Sequence, residues 1–421
     1  MFNPATPFFY VLSYVVVLYL RPQEYVAALQ GVPVVPVLLL GASGMWLLLQ
    51  PKDFEAPQHG LMLMLALAIS ISVAMTGWGT GALMAFVAFV PTLLLFYVVA
   101  TSVDSIQRFR QMALTMALVI VVIALHGIGQ AQSADGVGWT GAKMIAGRIT
   151  YLGLLNDPND LSMVFLMTLP LMLYLARTTH SWLLGLGLWT GAGAVLYAVY
   201  LCNSRGAVLG LGAMVFVYAV RRFGWVGSLL ASPLLLVPFL LLAPSRVGDM
   251  SADESSAAGR LDAWYAGLEM LKAHPVFGVG TGMFIDHHEL TAHNSFVLAF
   301  AEMGLVGYFF WLSLLVVTAV MLQRLLRLPA PADSAQAEIQ PAAVALMYAL
   351  VGTLVTAFFL SRTYVAFLYH LLALIVAVFG IARAQWPEQL PPVQFGELTP
   401  SILLLAVSSI AGIWVLTKVL L

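Results

Sequence analysis

The sequence predicts an all-α protein that crosses a membrane many times. Of its 421 residues, 61% are hydrophobic and only 9% are charged, whereas soluble domains carry about 25% charged residues. The hydrophobic residues form long runs that short polar segments separate. Such runs favour spanning helices, because in lipid the backbone N–H and C=O groups must find their hydrogen bonds inside the protein.

The apolar runs predict twelve or thirteen spans. A spanning helix needs about 20 residues; the first run is short and the second contains Pro33 and Pro36, so both counts fit the sequence. The thirteen predicted spans lie near 7–20, 33–49, 61–77, 82–100, 111–129, 161–176, 182–202, 205–220, 226–243, 294–322, 342–360, 364–382 and 400–420.

Basic residues in short loops indicate which ends of the helices face the cytoplasm. With alternating spans, one face receives Lys52, Arg108, Arg110, Arg177, Arg221, Arg222, Arg324, Arg327 and Arg383. We assign this face to the cytoplasm. The opposite face carries most of the carboxylates and two long loops, 130–160 and 244–293. We therefore expect a single integral membrane domain over residues 1–421, with its polar chemistry on the outer face.

The 244–293 loop is expected to contain an amphipathic helix over 257–273. Its apolar residues recur at helical spacing, and they are Leu261, Trp264, Tyr265, Leu268 and Leu271. Ser255 or Ser256 is the expected cap, and Pro275 ends the helix. Such a helix is expected to lie in the membrane interface. It could serve only as a cover for the helix bundle. The glycines from Gly278 to Gly282 then predict a turn that allows close backbone approach.

Four arginines on the outer face each lie next to a predicted helix end: Arg148, Arg205, Arg260 and Arg362. Arginine binds phosphate oxygens through a planar fork of two N–H donors. A single such arginine could instead reach lipid headgroups. The shared location of all four favours one anionic ligand, and a lipid diphosphate fits its charge and position.

His293 and Asn294 precede the apolar run 294–322, where the chain leaves water. A neutral imidazole there could accept a proton from an attacking hydroxyl. Alternatively, His293 could simply cap the helix. Glu302 lies nine residues further along, and we expect it to be structural, paired with an arginine or with backbone groups. Gly304 and Gly307 predict close approach of a neighbouring helix.

The segment Asn156-Asp157-Pro158-Asn159-Asp160 stands at the start of another predicted span. Asp160 is the expected helix cap, and Asp157 and Asn159 could support the cap or recognise sugar hydroxyls. Four histidines lie nearby in the 244–293 loop: His274, His287, His288 and His293. Their spacings differ from those usual in zinc sites and no cysteine contributes. We therefore expect neither a metal nor a cofactor.

As an ordered set, these motifs resemble the O-antigen ligase family. The resemblance rests on Ser204-Arg205-Gly206, Gly259-Arg260 with Trp264, the motif from His274 to Phe284, His293-Asn294-Ser295-Phe296, and Glu302 with Gly304 and Gly307. The segments Arg21-Pro22-Gln23-Glu24 and 156–160 resemble the branch of exosortase-associated O-glycosylation ligases.

The resemblance implies a GT-C-type glycosyltransferase in the bacterial inner membrane with its active site facing the periplasm. It implies transfer of a glycan from undecaprenyl diphosphate to a hydroxyl of lipid A-core or of a protein. It further implies that Arg205 and Arg260 bind the diphosphate and that His293 is the key histidine.

Two other functions remain open from the sequence. An O-antigen polymerase of the same fold would extend a lipid-linked chain, and the sequence does not distinguish its acceptor. A transporter or flippase for lipid-linked sugars would need ionisable groups through several spans and commonly an inverted repeat. The sequence shows neither ionisable groups through several spans nor an inverted repeat, and its polar residues gather at the outer face. Membrane lipids are expected partners and nucleic acid is not.

Overall fold

The computed structural model describes residues 5–50, 52–241, 254–328 and 334–420, and these form a bundle of α-helices without a β-sheet. The helices are α1 Ala5–Leu20, α2 Val34–Leu49, α3 Pro57–Ala74, α4 Gly79–Ser102, α5 Ile106–Gln132, α6 Pro158–Thr178, α7 Trp182–Cys202, α8 Arg205–Leu241, α9 Glu254–Ala273, α10 Phe284–His287, α11 Ser295–Leu326, α12 Ser334–Ala357, α13 Ala366–Gln385 and α14 Phe395–Leu420.

Among the described residues, 10 helices are long and apolar enough to cross a membrane, and α1 and α2 contribute two shorter apolar helices. Helices α6, α11 and α13 are the most buried of the long ones, so they form the centre of the bundle. The predicted all-α, multi-pass membrane architecture is confirmed.

The predicted spans 205–220 and 226–243 both fall on α8, whose course changes at Gly224, where φ is 71°. Residues 242 and 243 lie outside the described part of the chain. A Cβ at Gly206 would lie 3.3 Å from Phe359, and the ring of Trp264 packs on Phe358 at 5.5 Å. Gly206 and Trp264 thus share one end of the bundle. Between these two residues the chain must run away from this end of the bundle and come back to it. This favours two spans between Gly206 and Trp264.

Helix α9 places one face against the bundle, on α11 and α14. Trp264 and Leu268 are buried as the helical spacing predicts. Tyr265, which belongs to the same predicted apolar face, is 36% exposed, and the Lys418 ammonium lies over its ring at 5.4 Å. Ser255 and Ser256 lie inside α9 and do not precede it as caps.

The predicted continuous helix over 294–322 is broken at Gly304, where φ is 63° and ψ is −165°. The glycine-containing segment 275–280 lies against the break at 301–306. Backbone hydrogen bonds join the two segments, from Leu305 to Pro275 (2.9 Å), Val306 to Val276 (3.2 Å), Val279 to Ala301 (3.0 Å) and Gly280 to Glu302 (3.0 Å). The loop thus satisfies backbone groups that the break removes from the helix. Gly304 faces this loop, so the predicted contact with a neighbouring helix was wrong.

We expect Gly304→Ala to destabilise the fold strongly. Its backbone angles belong to a region that is essentially restricted to glycine and costs about 1–3 kcal/mol for other residues. A Cβ would also lie 2.4 Å from the backbone of Val276. The matched control is Gly412→Ala in α14, where a Cβ meets nothing within 4 Å. Thermal unfolding in detergent should show a lower Tm only for Gly304→Ala; equal melting of the two variants would contradict this account.

Candidate active site at the outer helix ends

The ends of several helices meet at the bundle end that we assigned to the outer face. The first residue of α11, Ser295, donates its hydroxyl to the Leu360 carbonyl just after α12, at 2.6 Å. Thr363 returns a hydroxyl hydrogen bond to the Ser295 carbonyl at 2.8 Å. Gly206, in the first turn of α8, packs on the same loop through Phe359. The loop 358–365 therefore fixes the starts of α8 and α11 relative to each other.

Arg362 is held in this loop by three contacts. Its backbone N–H donates to the Ser295 hydroxyl at 2.9 Å, and its Nη1 donates to the Ser361 carbonyl at 3.1 Å. Its Nε donates to the buried carboxylate of Asp160 in the first turn of α6. The guanidinium remains about one-third exposed, so part of it faces the space at the helix ends.

Asp157, and not Asp160, is the cap of α6. The Asp157 carboxylate accepts from the backbone N–H of Asn159 at 2.7 Å, so the predicted capping role of Asp160 was wrong. Asp160 is only 3% exposed. A buried carboxylate is costly without a partner, and the ion pair with Arg362 supplies one.

Arg148 lies where the outer loop reaches α6 and α7. Its Nε donates to the carbonyl of Cys202 at 2.7 Å, and its Nη2 donates to Asn159 Oδ1 at 2.6 Å. Asn159 thus orients an arginine in this structure. Arg148 takes part in a further interaction as well.

Arg205 begins α8 directly after the end of α7. Asn203 ends α7 in the left-handed conformation, with φ 45°. The Ser204 hydroxyl accepts from the backbone N–H of Ala207 at 3.4 Å. This two-residue connection places Arg205 at a helix N-terminus, whose unpaired N–H groups favour an anion.

His293 lies directly before α11 and is half-buried. Its backbone adopts the left-handed region, with φ 46°, and its N–H donates to the Ser361 hydroxyl at 2.7 Å. Burial lowers the pKa of the imidazole. The positive charges of Arg260 and Arg362 lower it further, against the carboxylate of Asp157. Burial and the two arginines therefore favour the neutral form of the His293 imidazole.

Asn294, and not His293, caps α11. Asn294 Oδ1 accepts from the backbone N–H groups of Phe296 and Val297 at 2.9 and 3.2 Å. Asn294 is completely buried, which suits a structural role. Because the cap is provided by its neighbour, the imidazole of His293 is not needed for capping.

Glu302 connects the start of α10 to the loop 358–365, which carries Arg362. Its Oε2 accepts from the Tyr364 hydroxyl at 2.8 Å, and its Oε1 accepts from the backbone N–H of Phe284 at 3.2 Å. The expected backbone partner is thus present. Among the described residues, the structure gives no arginine as a partner of Glu302.

The structure brings most of the predicted site residues to one end of the bundle: Arg148, Asp157, Asn159, Arg205, Arg260, His293, Asn294 and Arg362. Glu302 lies nine residues beyond His293, in α11. Sequence reasoning missed Ser361 and Tyr364, which orient His293 and Glu302. Of the other histidines, His288 pairs with Asp262 at 3.0 Å. Within the part of the chain that the structure describes, no group of three or more His, Cys, Asp or Glu side chains is arranged to hold a metal ion.

Comparison with known families bears directly on this region. Residues 1–180 match a family of unknown function, DUF5935, and a search of curated proteins finds no significant match. Residues 190–312 match the family model described as O-antigen ligase. This match includes Arg205, Arg260, His293 and Glu302. It confirms the resemblance to the O-antigen ligase family that the ordered motifs indicate, over residues 190–312.

Proposed function

We propose that this protein is a metal-independent glycosyltransferase. It would transfer a preassembled glycan from undecaprenyl diphosphate to an acceptor hydroxyl at the periplasmic face of a bacterial inner membrane. The observation that carries the proposal is the position of His293, a neutral imidazole within electrostatic reach of Arg260 and Arg362. A base beside a cationic surface suits the activation of a hydroxyl together with the departure of a diphosphate.

Arginines and helix starts would bind the donor diphosphate. Arg205, Arg260, Arg148 and Arg362 stand around the ends of α6, α8 and α11. Helix N-termini attract anions through their free N–H groups and the helix dipole. As the glycosidic bond breaks, negative charge grows on the phosphate oxygens, and donors already aimed there stabilise it most. Arg205, at the start of α8, is proposed to act directly on this leaving group.

His293 would take the proton of the acceptor hydroxyl as that oxygen attacks the anomeric carbon. The C–O bond to the diphosphate breaks as the new glycosidic bond forms, so the configuration inverts. Asn294 would hold the imidazole at the start of α11. Glu302 would keep Tyr364 and the glycine-containing segment 275–280 in place. Asp157 and Asn159 would support the arginines or contact sugar hydroxyls.

The acceptor decides between a ligase and a polymerase of the same fold, and lipid A-core, a protein hydroxyl and a growing glycan each offer a suitable group. The outer-end location of the cluster favours surface chemistry over transport of the lipid-linked sugar. We further propose that the fold is of the GT-C type and that the chain belongs to the O-glycosylation branch.

The proposal is tested by measuring release of undecaprenyl diphosphate from a lipid-linked glycan by the purified protein with EDTA present. Lipid A-core, acceptor glycolipids and peptides are supplied separately. Release that depends on one acceptor and survives EDTA would support a metal-independent transferase, and the active acceptor separates ligase from polymerase. Tight donor binding without release for any acceptor would instead support transport.

The pH profile of transfer should reflect the lowered pKa of His293. Activity requires the neutral imidazole, so it should persist below the ordinary histidine pKa of about 6.5 and fall at lower pH. Arg260→Gln removes a positive charge that opposes protonation, so the pKa should rise and the acid limb should move to higher pH. Each profile is normalised to its own plateau. An unmoved limb in Arg260→Gln would contradict the assignment of this limb to His293.

A further inference from the structure

A cavity of about 540 Å³ lies between α6, α7, α8 and α12. Its wall is mostly apolar and includes Leu173, Leu196, Leu211, Met214 and Val344. Pro170 and Pro341 also line it, and each lacks the N–H that a regular helical residue donates. The volume falls within the roughly 300–1,000 Å³ that is common for ligand sites.

The cavity is separate from the candidate active site. It is lined by the second half of α6, by α8 from Leu211 onward and by the first half of α12. The active-site cluster instead lies at the start of α6, the start of α8 and the end of α12. Thr178, in the cavity wall, is twenty residues along α6 from Pro158, or about 30 Å at 1.5 Å per residue.

Cationic and phenolic side chains lie in the wall of this cavity and next to it. Arg177 lines it and is exposed, with its guanidinium over the Trp189 ring at 5.9 Å. Arg221 lies close enough to Tyr348, which lines the cavity, for its positive charge to act on this phenol. Next to the cavity, Arg110 donates to the Thr178 hydroxyl at 2.9 Å.

Among the described residues, arginines outnumber carboxylates at this end. Arg110 has a carboxylate partner in Glu338 at 3.8 Å, whereas the ion pairs among the described residues include neither Arg177 nor Arg221. An apolar cavity with one arginine and several tyrosines in its wall and a second arginine beside it is complementary to a molecule with a long hydrocarbon chain and an anionic head.

We propose that this cavity binds an anionic phospholipid of the cytoplasmic leaflet. One acyl chain occupies the space between α6, α8 and α12, and the phosphate contacts Arg177 and Arg221. Basic pockets between spanning helices on the cytoplasmic side bind anionic headgroups in this way. The site is independent of the proposed glycosyl transfer, because the donor diphosphate would lie at the opposite end of the same helices.

The probe for this site is a photoactivatable phosphatidylglycerol in phosphatidylcholine nanodiscs that contain the purified protein. Cross-links should map to 169–178, 211–218 and 340–348. The double variant Arg177→Gln/Arg221→Gln should weaken labelling by roughly 30-fold, since each arginine near the membrane surface contributes about fivefold. The matched control is Lys52→Gln/Arg383→Gln, on the same predicted face and outside the wall of the cavity.

A second pair of variants separates loss of the site from loss of the fold. Val215→Phe fills the cavity, whereas Leu209→Phe changes an exposed residue of the same helix. Labelling should fall only in Val215→Phe. Equal labelling by a phosphatidylcholine probe, or unchanged labelling in the Arg177/Arg221 variant, would overturn the proposal. Displacement by undecaprenyl phosphate that does not depend on the two arginines would instead assign the cavity to the donor tail.

Discussion

Replacing His293 with glutamine is expected to lower the rate of glycan transfer by about 10²–10⁴-fold, the usual contribution of a general base. Glutamine keeps a polar side chain of similar reach but cannot take a proton at neutral pH. The backbone N–H of residue 293 still donates to Ser361, and Asn294 still caps α11. The loss should therefore appear in kcat, measured as acceptor-dependent release of undecaprenyl diphosphate.

The matched control for this variant is His287→Gln. His287 lies in the same outer region, on α10, and is exposed. Its replacement should leave the rate within about twofold of the wild type, as surface substitutions usually cost less than 0.5 kcal/mol. Full activity of His293→Gln would remove this histidine from the chemistry, and equal losses in both variants would point to a general effect on the loop.

Replacing Arg260 with lysine is expected to lower kcat/KM by about 10- to 100-fold. Lysine keeps the charge but loses the planar fork that binds two phosphate oxygens. A hydrogen bond to a charged group contributes roughly 1.5–3 kcal/mol, and each 1.4 kcal/mol is a factor of ten. Because the charge near His293 remains, the acid limb of the pH profile should stay in place, unlike in Arg260→Gln.

Arg327→Lys is the matched control, since Arg327 is exposed at the end of α11 on the opposite face. It should transfer at the wild-type rate. Wild-type kcat/KM in Arg260→Lys would show that only the charge of this residue matters, and the proposed bidentate contact would then be wrong.

The fold was largely predictable because the cost of exposing polar backbone to lipid leaves long apolar runs little choice but to form helices. The break in α11 was not predictable from the sequence. Its backbone groups bond to residues 275–280, which lie more than twenty positions away, and a single Gly304 in an apolar run is equally compatible with a continuous helix. Helical spacing alone likewise does not show which residues of an apolar face pack against the bundle, as the exposed Tyr265 illustrates.

That the predicted site residues lie at one end of the bundle was predictable, but their pairing was not. Alternating spans place every helix end at one of the two membrane faces. Arginines next to outer helix ends therefore share the outer face, whatever residues they pair with. The pairing of Arg362 with Asp160 joins residues that are 202 positions apart, and no local pattern encodes it. Ser361 carries no recognisable motif, although its hydroxyl positions His293.

The central claim is that His293 acts in the chemical step while the arginines bind the donor. The most direct test is single-turnover transfer by protein already loaded with lipid-linked glycan, with donor binding measured on the same preparation. The account predicts that His293→Gln retains donor affinity close to the wild type and transfers about 10²–10⁴-fold more slowly. Transfer at the wild-type rate by donor-loaded His293→Gln would contradict it.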